Sequence, residues 1–323
     1  MSLTRTLIDW PSESALDPLP TVKLIGAKAH RYMSAPGFSG EVISAGASAA
    51  YIATDAGDIL AVCRLDQQPH PRSFLTNLDL SMLHVGLRTW IEGPELRFSN
   101  GTALNMRNHQ VWNRQPPEAE GALPLQKLRS RCHTLLQAAI TLHGGDNLGL
   151  SLSLFTENDD SETASSLPSA SPLIAAGIGQ IRRLLPFCRC GNLQAALESS
   201  ERLIGLGPGL TPSGDDFVGG LIFMALKLNT AYPSERWWEG GDVPALLACS
   251  GSMTSKISHA LLTDLSEGQS HASLHDLADA LLSDDEEFDA ENHVRQVAEI
   301  GHSSGWDMLT GMLAGLLPVI NRA

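Results

Sequence analysis

The residues in this chain best suited to chemistry lie in a glycine- and proline-rich stretch, GLGPGLTPSGDDF, at positions 205–217. Four glycines and two prolines fall within its first ten residues, which rules out regular structure there. An apolar run follows and reads as a helix, with Ser213 or Thr211 placed to cap it. Glycines ahead of a helix start let backbone N–H groups approach an anion, and the positive end of the helix dipole favours one. The spacing differs from a phosphate-binding Gly-Lys-Ser/Thr loop and from a dinucleotide fingerprint. The same element recurs downstream: Ser213-Gly-Asp-Asp216-x3-Gly220 and Ser304-Gly-Trp-Asp307-x3-Gly311 both read Ser-Gly-x-Asp-x3-Gly and both open an apolar helix. Each glycine four residues after the aspartate permits close helix packing, so the two helix starts are expected side by side, with Asp216 and Asp307 at the rim.

Such a site suits phosphate or carboxylate, but the acids repel an anion unless a divalent cation or a protonated group intervenes. Mg²⁺ held by Asp216 and Asp307 together with ligand oxygens is one solution, and no other cofactor is expected. In the alternative, Ser and Asp are ordinary helix caps and the glycines are turn and packing residues. The segment Met253-Thr-Ser-Lys-Ile-Ser-His259 adds Thr254 and Ser258, one turn apart, with Ser255 and Lys256 nearby. His302 is the acid–base candidate, because an imidazole titrates near neutrality. His271-x3-His275 has helical metal-ligand spacing but no glutamate after the first histidine, so two surface histidines are expected. Cys188-x-Cys190 without a second pair is not a zinc site, and no Gly-x-Ser-x-Gly elbow occurs.

The elements that must position these groups divide the chain. Segments 41–43, 49–52 and 58–63 read as strands, 96–99 and 102–106 as a hairpin through Asn100-Gly101, and Val111-Trp112 as a last strand. Residues 114–124 (RQPPEAEGALP) break regular structure and mark a boundary. Helical periodicity then covers 125–142, 173–185, 193–204 (capped by Asn192), 217–228, 253–265, 274–282, 294–300 and 308–320. Residues 158–172, rich in Ser, acid and Pro, read as an exposed loop, and 284–289 (DDEEFD) as a solvated charge run. The expectation is an α+β protein: a β-rich N-terminal domain over 1–120, then a mainly α-helical domain over 121–323 whose Gly-rich helix N-termini carry the site.

With 323 residues, 43% of them hydrophobic, the chain is long enough for two cores. A formal net charge of −14 argues against nucleic acid or an anionic membrane as partner. Five scattered cysteines suit a reducing compartment. The first 19 residues lack an apolar stretch, and no apolar run reaches the roughly 20 residues of a membrane span, so a cytoplasmic protein without a signal peptide is expected.

Three segments, GLGPGLTPSGDDFVGG, MTSKISHALL and GHSSGWDMLTG, together resemble the H-subunit (AllH-type) family of oxamate carbamoyltransferase, long labelled a putative carboxylase family. The likeness runs over 205–311 and is carried by Gly207, Gly209, Thr211, Ser213, Asp215 and Asp216, by Thr254 and Ser258, and by His302, Ser304, Gly305 and Asp307; Lys256 is outside the pattern. The resemblance implies a place in a multi-subunit enzyme of anaerobic allantoin degradation. That enzyme converts oxalurate and phosphate to oxamate and carbamoyl phosphate, which a carbamate kinase can use. On this reading the glycine-rich loop, Thr254, Ser258, Ser304 and Gly305 bind a small anionic substrate, while His302, Asp216 and Asp307 are catalytic. The alternative is a non-catalytic ligand-binding or scaffold subunit.

Overall fold

The computed structural model describes residues 19–33, 37–114, 123–156, 170–284 and 288–322. Most of the loop expected over 158–172 and of the boundary over 114–124, and the centre of the acidic run over 284–289, lie outside them. Chain contacts divide the protein into one unit ending at Asn113 and a second beginning at Arg114.

The N-terminal unit is a nine-stranded sheet in the order β8-β7-β6-β2-β3-β4-β5-β1-β9. Its strands are β1 (Val22–Gly26), β2 (Ser39–Ala45), β3 (Ala49–Thr54), β4 (Ile59–Arg64), β5 (Ser73–Thr76), β6 (Arg88–Glu92), β7 (Glu95–Phe98), β8 (Ala103–Asn105) and β9 (Gln110–Trp112). A short helix α1 (Ala27–His30) follows β1. Neighbouring strands are antiparallel except β4 with β5 and β1 with β9. The sheet curls until the end of β8 meets the start of β1, where the Asn105 N–H donates to the Pro20 carbonyl at 2.8 Å. Alternation in β2 and β3 sends Val42, Ala50 and Ile52 into a core shared with Phe74 and Phe98. The hairpin forms at Asn100-Gly101: Gly101 takes φ +89°, and the Asn100 side chain accepts from the Thr102 N–H at 3.0 Å.

The second unit is helical: α2 (Leu125–Leu142), α3 (Pro172–Cys190), α4 (Leu193–Ser200), α5 (Ser213–Ala231), α6 (Val243–Ser250), α7 (Lys256–Ser266), α8 (Ala272–Leu282), α9 (Ala290–Ala298), α10 (Ser304–Gly315) and α11 (Leu317–Asn321). A 3₁₀ helix spans Leu148–Phe155. Asn192 caps α4 as its sequence predicts, accepting from the Ala195 N–H at 3.0 Å. The cap expected of Ser213 or Thr211 is not made. Pro212 holds the cap position of α5, no side chain caps it, and Ser213 is the first helical residue. The helix expected from Met253 begins only at Lys256, capped by Ser255.

Helices α5 and α10 form the centre of this unit and are buried almost along their whole lengths. They run parallel and touch backbone to backbone. A Cβ on Gly220 would lie 2.1 Å from the Met308 carbonyl oxygen, and one on Gly311 would lie 1.9 Å from that of Phe217. The two contacts are reciprocal, since Phe217 and Met308 each follow the aspartate of their own Ser-Gly-x-Asp element. The first glycines of the repeat are just as confined: Gly214 packs on the Leu203 carbonyl and Gly305 on that of Val297.

Because backbone meets backbone, no rotamer change can relieve an added methyl group. Gly311→Ala is expected to lose about 3 kcal/mol or more of unfolding free energy in urea titrations. Gly179→Ala, on an exposed turn of α3 with nothing within 4 Å, should instead gain up to about 1 kcal/mol. Equal effects at the two positions would contradict the close helix contact.

Candidate functional site

The glycine contacts bring the two helix starts together. Thr211 Oγ1 and Ser304 Oγ lie 2.9 Å apart, joining the loop before α5 to the first residue of α10. The hydroxyls of Ser304 and Thr211 approach Asp216 and that of Ser213 approaches Asp307, each favouring the charged form of the carboxyl. Each helix-opening serine therefore serves the aspartate of the other helix. The Ser303 hydroxyl also approaches Asp307, whose Oδ1 accepts the Leu148 N–H at 2.8 Å. The start of the 3₁₀ helix at Leu148 is thus a third chain end at the cluster.

Both aspartates are buried, Asp216 at 3% exposure and Asp307 at 0%. Among the described residues neither is paired with a cation, and Oδ2 of each has no hydrogen-bond partner. Burial pushes the Asp307 carboxyl up to about 6, against the Leu148 amide and the Ser213 and Ser303 hydroxyls, which favour the charged form. Asp216 is raised well above the usual carboxylate range, first by burial and then by the neighbouring charge of Asp307. In so dry a seam the charge of Asp307 opposes that of Asp216.

Asp215 has a different task. Its Oδ1 accepts the Gly205 N–H at 2.7 Å, and its Oδ2 accepts the Ser258 hydroxyl at 2.5 Å and the Thr254 hydroxyl. It ties the glycine-rich loop to the start of α7, so Thr254 and Ser258 point their hydroxyls at Asp215. The loop itself requires glycine: Gly205 (φ +75°) lies against the Met253 carbonyl, and Gly207 (φ +127°) against the Ser213 amide. Gly209, also at positive φ, faces open space.

The first-turn amides expected to face an anion are largely engaged. The Gly214 N–H donates to Leu206 O, those of Asp215 and Asp216 to Pro212 O, that of Gly305 to Ile300 O and that of Asp307 to Ser303 O. Among the buried side-chain atoms of the site, those left without a partner are carboxylate oxygens. His302 is exposed in the turn before α10, and Lys256 is exposed at the start of α7. Asp216 and Asp307 are the pair a Mg²⁺ would need; among the described residues no three His, Cys, Asp or Glu side chains gather into a metal-binding set, so ligand oxygens would have to complete its shell.

Other expectations meet a different outcome. His275 is not a surface residue: it is buried edge-on against the Phe223 ring, its ring centroid 5.4 Å away. Burial pushes His271 down to about 4 and His275 down to about 3. His259 is half-buried and bonded to Ser250 at 3.0 Å. Sequence reasoning missed Leu148 and Ser303 as partners of Asp307. The signal for Leu148 was Asn147, whose side chain caps the 3₁₀ helix by accepting from Gly149 N–H at 2.9 Å. A cavity of about 820 Å³ belongs to the N-terminal unit, lined in part by Arg64, Asp66, Asn77 and Asp79, and contains none of the aspartate pair's residues. Its polar groups are bonded locally: Arg64 to Asp66, Asn77 to the Thr21 N–H, and Asp79 to the Ser81 N–H.

The span of chain that builds the paired helix starts is also the span that matches a family model. Residues 203–316 match the family model of oxamate carbamoyltransferase subunit AllH. The AllH match opens at Leu203, against whose carbonyl Gly214 packs, and closes at Leu316, the residue after α10. It therefore contains both Ser-Gly-x-Asp elements and the α7 segment, and lies within the second unit. No curated protein and no solved structure matches the chain. The AllH family is that of a subunit of an enzyme, a transferase, which implies further subunits. Among the described residues, no helix is long and apolar enough to cross a membrane.

The raised aspartates have a measurable consequence. A carboxyl whose folded pKa exceeds its unfolded value keeps the proton longer when folded, so stability falls as pH rises from about 4 to about 6 and stays reduced above that. Asp307→Asn removes that loss and lets an amide N–H face Asp216. The variant is expected to be more stable than the parent by on the order of 2–3 kcal/mol at pH 7.5, and the gain should vanish near pH 4. Buried His271 and His275 act in the opposite direction, losing stability as pH falls below about 6.5, but they cancel in the difference between variant and parent. A variant less stable than the parent at pH 7.5 would contradict the burial of an unfavourable charge.

Proposed function

We propose that this chain is a carbamoyltransferase subunit whose own site acts on a small carboxylate- or phosphate-bearing ligand, in the reaction of oxalurate with phosphate to give oxamate and carbamoyl phosphate. The observation that carries the reading is the coincidence of the AllH match with the paired helix starts and their buried, partly unpartnered aspartates. In that reaction a phosphate oxygen attacks the carbamoyl carbon, and the bond from that carbon to the inner amide nitrogen breaks. The proton lost by hydrogen phosphate is the one the leaving nitrogen gains, so one relay group balances the step. Asp216 and Asp307 are the buried groups whose raised pKa suits such a relay.

His302, exposed at the edge of the same helix start, is the second proton-transfer group. The loop at Gly207 and Gly209, with Thr211, Ser213, Ser304 and Gly305, holds the anionic part of the ligand. Thr254, Ser258 and Asp215 hold that loop in shape. If Mg²⁺ is used, Asp216 and Asp307 hold it and it supplies charge neutralisation to the phosphate. A dry site with donors fixed beforehand stabilises charge on the carbonyl oxygen more strongly than water can.

The test is phosphorolysis of oxalurate by the chain assembled with the remaining subunits of its enzyme. Asp216→Asn and Asp307→Asn are each expected to lower kcat by about a hundredfold or more, while the assembled complex still forms by size-exclusion chromatography. Parental rates in both variants would refute the catalytic assignment.

A further inference from the structure

The unpartnered buried side-chain atoms of the site are a pair of carboxyl oxygens. Asp216 Oδ2 and Asp307 Oδ2 are buried without a hydrogen-bond partner, while the Ser304 and Ser213 hydroxyls approach the two acids crosswise and those of Thr211 and Ser303 from each acid's own segment. A buried acceptor left unmade costs free energy, and a native protein retains two in one place for a reason. The natural complement of two nearby carboxyl oxygens is a group with two N–H donors and no negative charge of its own. A carboxylate or phosphate offers neither. A carboxamide or ureido end, –C(=O)NH₂, offers both, and its carbonyl can accept from a protonated carboxyl.

We propose that Asp216 and Asp307 form the subsite for the uncharged carboxamide or ureido end of the substrate, its N–H groups entering onto the two Oδ2 oxygens. The proposal rests on the reading above, that this chain binds the small ligand itself, and it adds which end of that ligand goes where. Thr211, Ser303 and Ser304 are the half-buried members of the cluster and so mark its boundary with solvent. The Thr211–Ser304 hydroxyl contact at 2.9 Å must open for the ligand to enter, a rotation of two short side chains next to the glycine-rich loop. The anionic end stays outside the acids, towards the loop. The arrangement also accounts for an anion-binding protein that places two acids, and no cation among the described residues, at its site: the acids are directed at the neutral end.

Binding to the purified full-length chain, measured calorimetrically in buffer with EDTA at pH 7, separates the possibilities. Oxamate, pyruvate and oxalate share a carboxylate next to a carbonyl carbon. Pyruvate carries the same charge as oxamate but a methyl group in place of the amide; oxalate carries a second carboxylate. Oxamate is expected to bind at least tenfold more tightly than either. In Asp307→Asn, where a donor replaces an acceptor, the preference over pyruvate should fall below about threefold and oxalate should gain relative to oxamate. Equal binding of oxamate and pyruvate by the parent chain would overturn the amide subsite while leaving an anion site in place. An oxamate preference that survives unchanged in Asp307→Asn would overturn its assignment to this pair. Failure of all three ligands and of inorganic phosphate to bind would overturn the underlying reading, and this inference with it.

Discussion

The contact between α5 and α10 at Gly220 and Gly311 governs the rest of the second unit. With no side chain at either crossing point, the two helix backbones lie against each other's carbonyl groups, and every residue one turn upstream is drawn to the same place. That is why a serine opening one helix reaches the aspartate of the other, and why both aspartates lose contact with water. The reciprocity follows from the repeat: the same spacing from Ser to Gly, used twice in parallel, produces crosswise bonding without any longer-range design.

Placing two acids in a dry seam works against folding. Their hydroxyl and amide donors recover part of the cost, and the remainder shows as carboxyl pKa values raised above the ordinary range. A protein selected for stability alone would fill these positions with apolar side chains, as it does one residue later at Phe217 and Met308. The proposed ligand chemistry is our explanation for the acids at 216 and 307, whereas Asp215, one residue away, has its oxygens satisfied by the loop and by α7.

Much of this was legible in the sequence for physical reasons. The glycine spacing after each aspartate announces close helix packing, and the duplicated element announces that the two helices meet. The strand runs at 49–52 and 58–63 alternate or continue in apolar character, and they form β3 and β4. Strands β1, β5 and β6 were not legible, because short segments such as SFLT and RTWIE carry no period long enough to separate strand from loop. The division of labour among three neighbouring acids was hidden for a different reason. Asp215 and Asp216 are adjacent in sequence but lie about a hundred degrees apart around a helix, so one faces α7 and the other α10. The engagement of the first-turn amides was likewise invisible, since it depends on carbonyl groups at Leu206 and Ile300 that only the folded loop supplies.

Asp216 and Asp307 face one another across the seam closely enough for the charge of one to oppose that of the other. A double-mutant cycle of Asp216→Asn and Asp307→Asn, read from unfolding free energies at pH 7.5, tests it directly. Removing either charge relieves the same repulsion, so the two effects should fail to add, with a coupling of about 1 kcal/mol or more. Effects that add to within about 0.5 kcal/mol would mean the two acids do not sense each other, and the account of the site built on their meeting would be wrong.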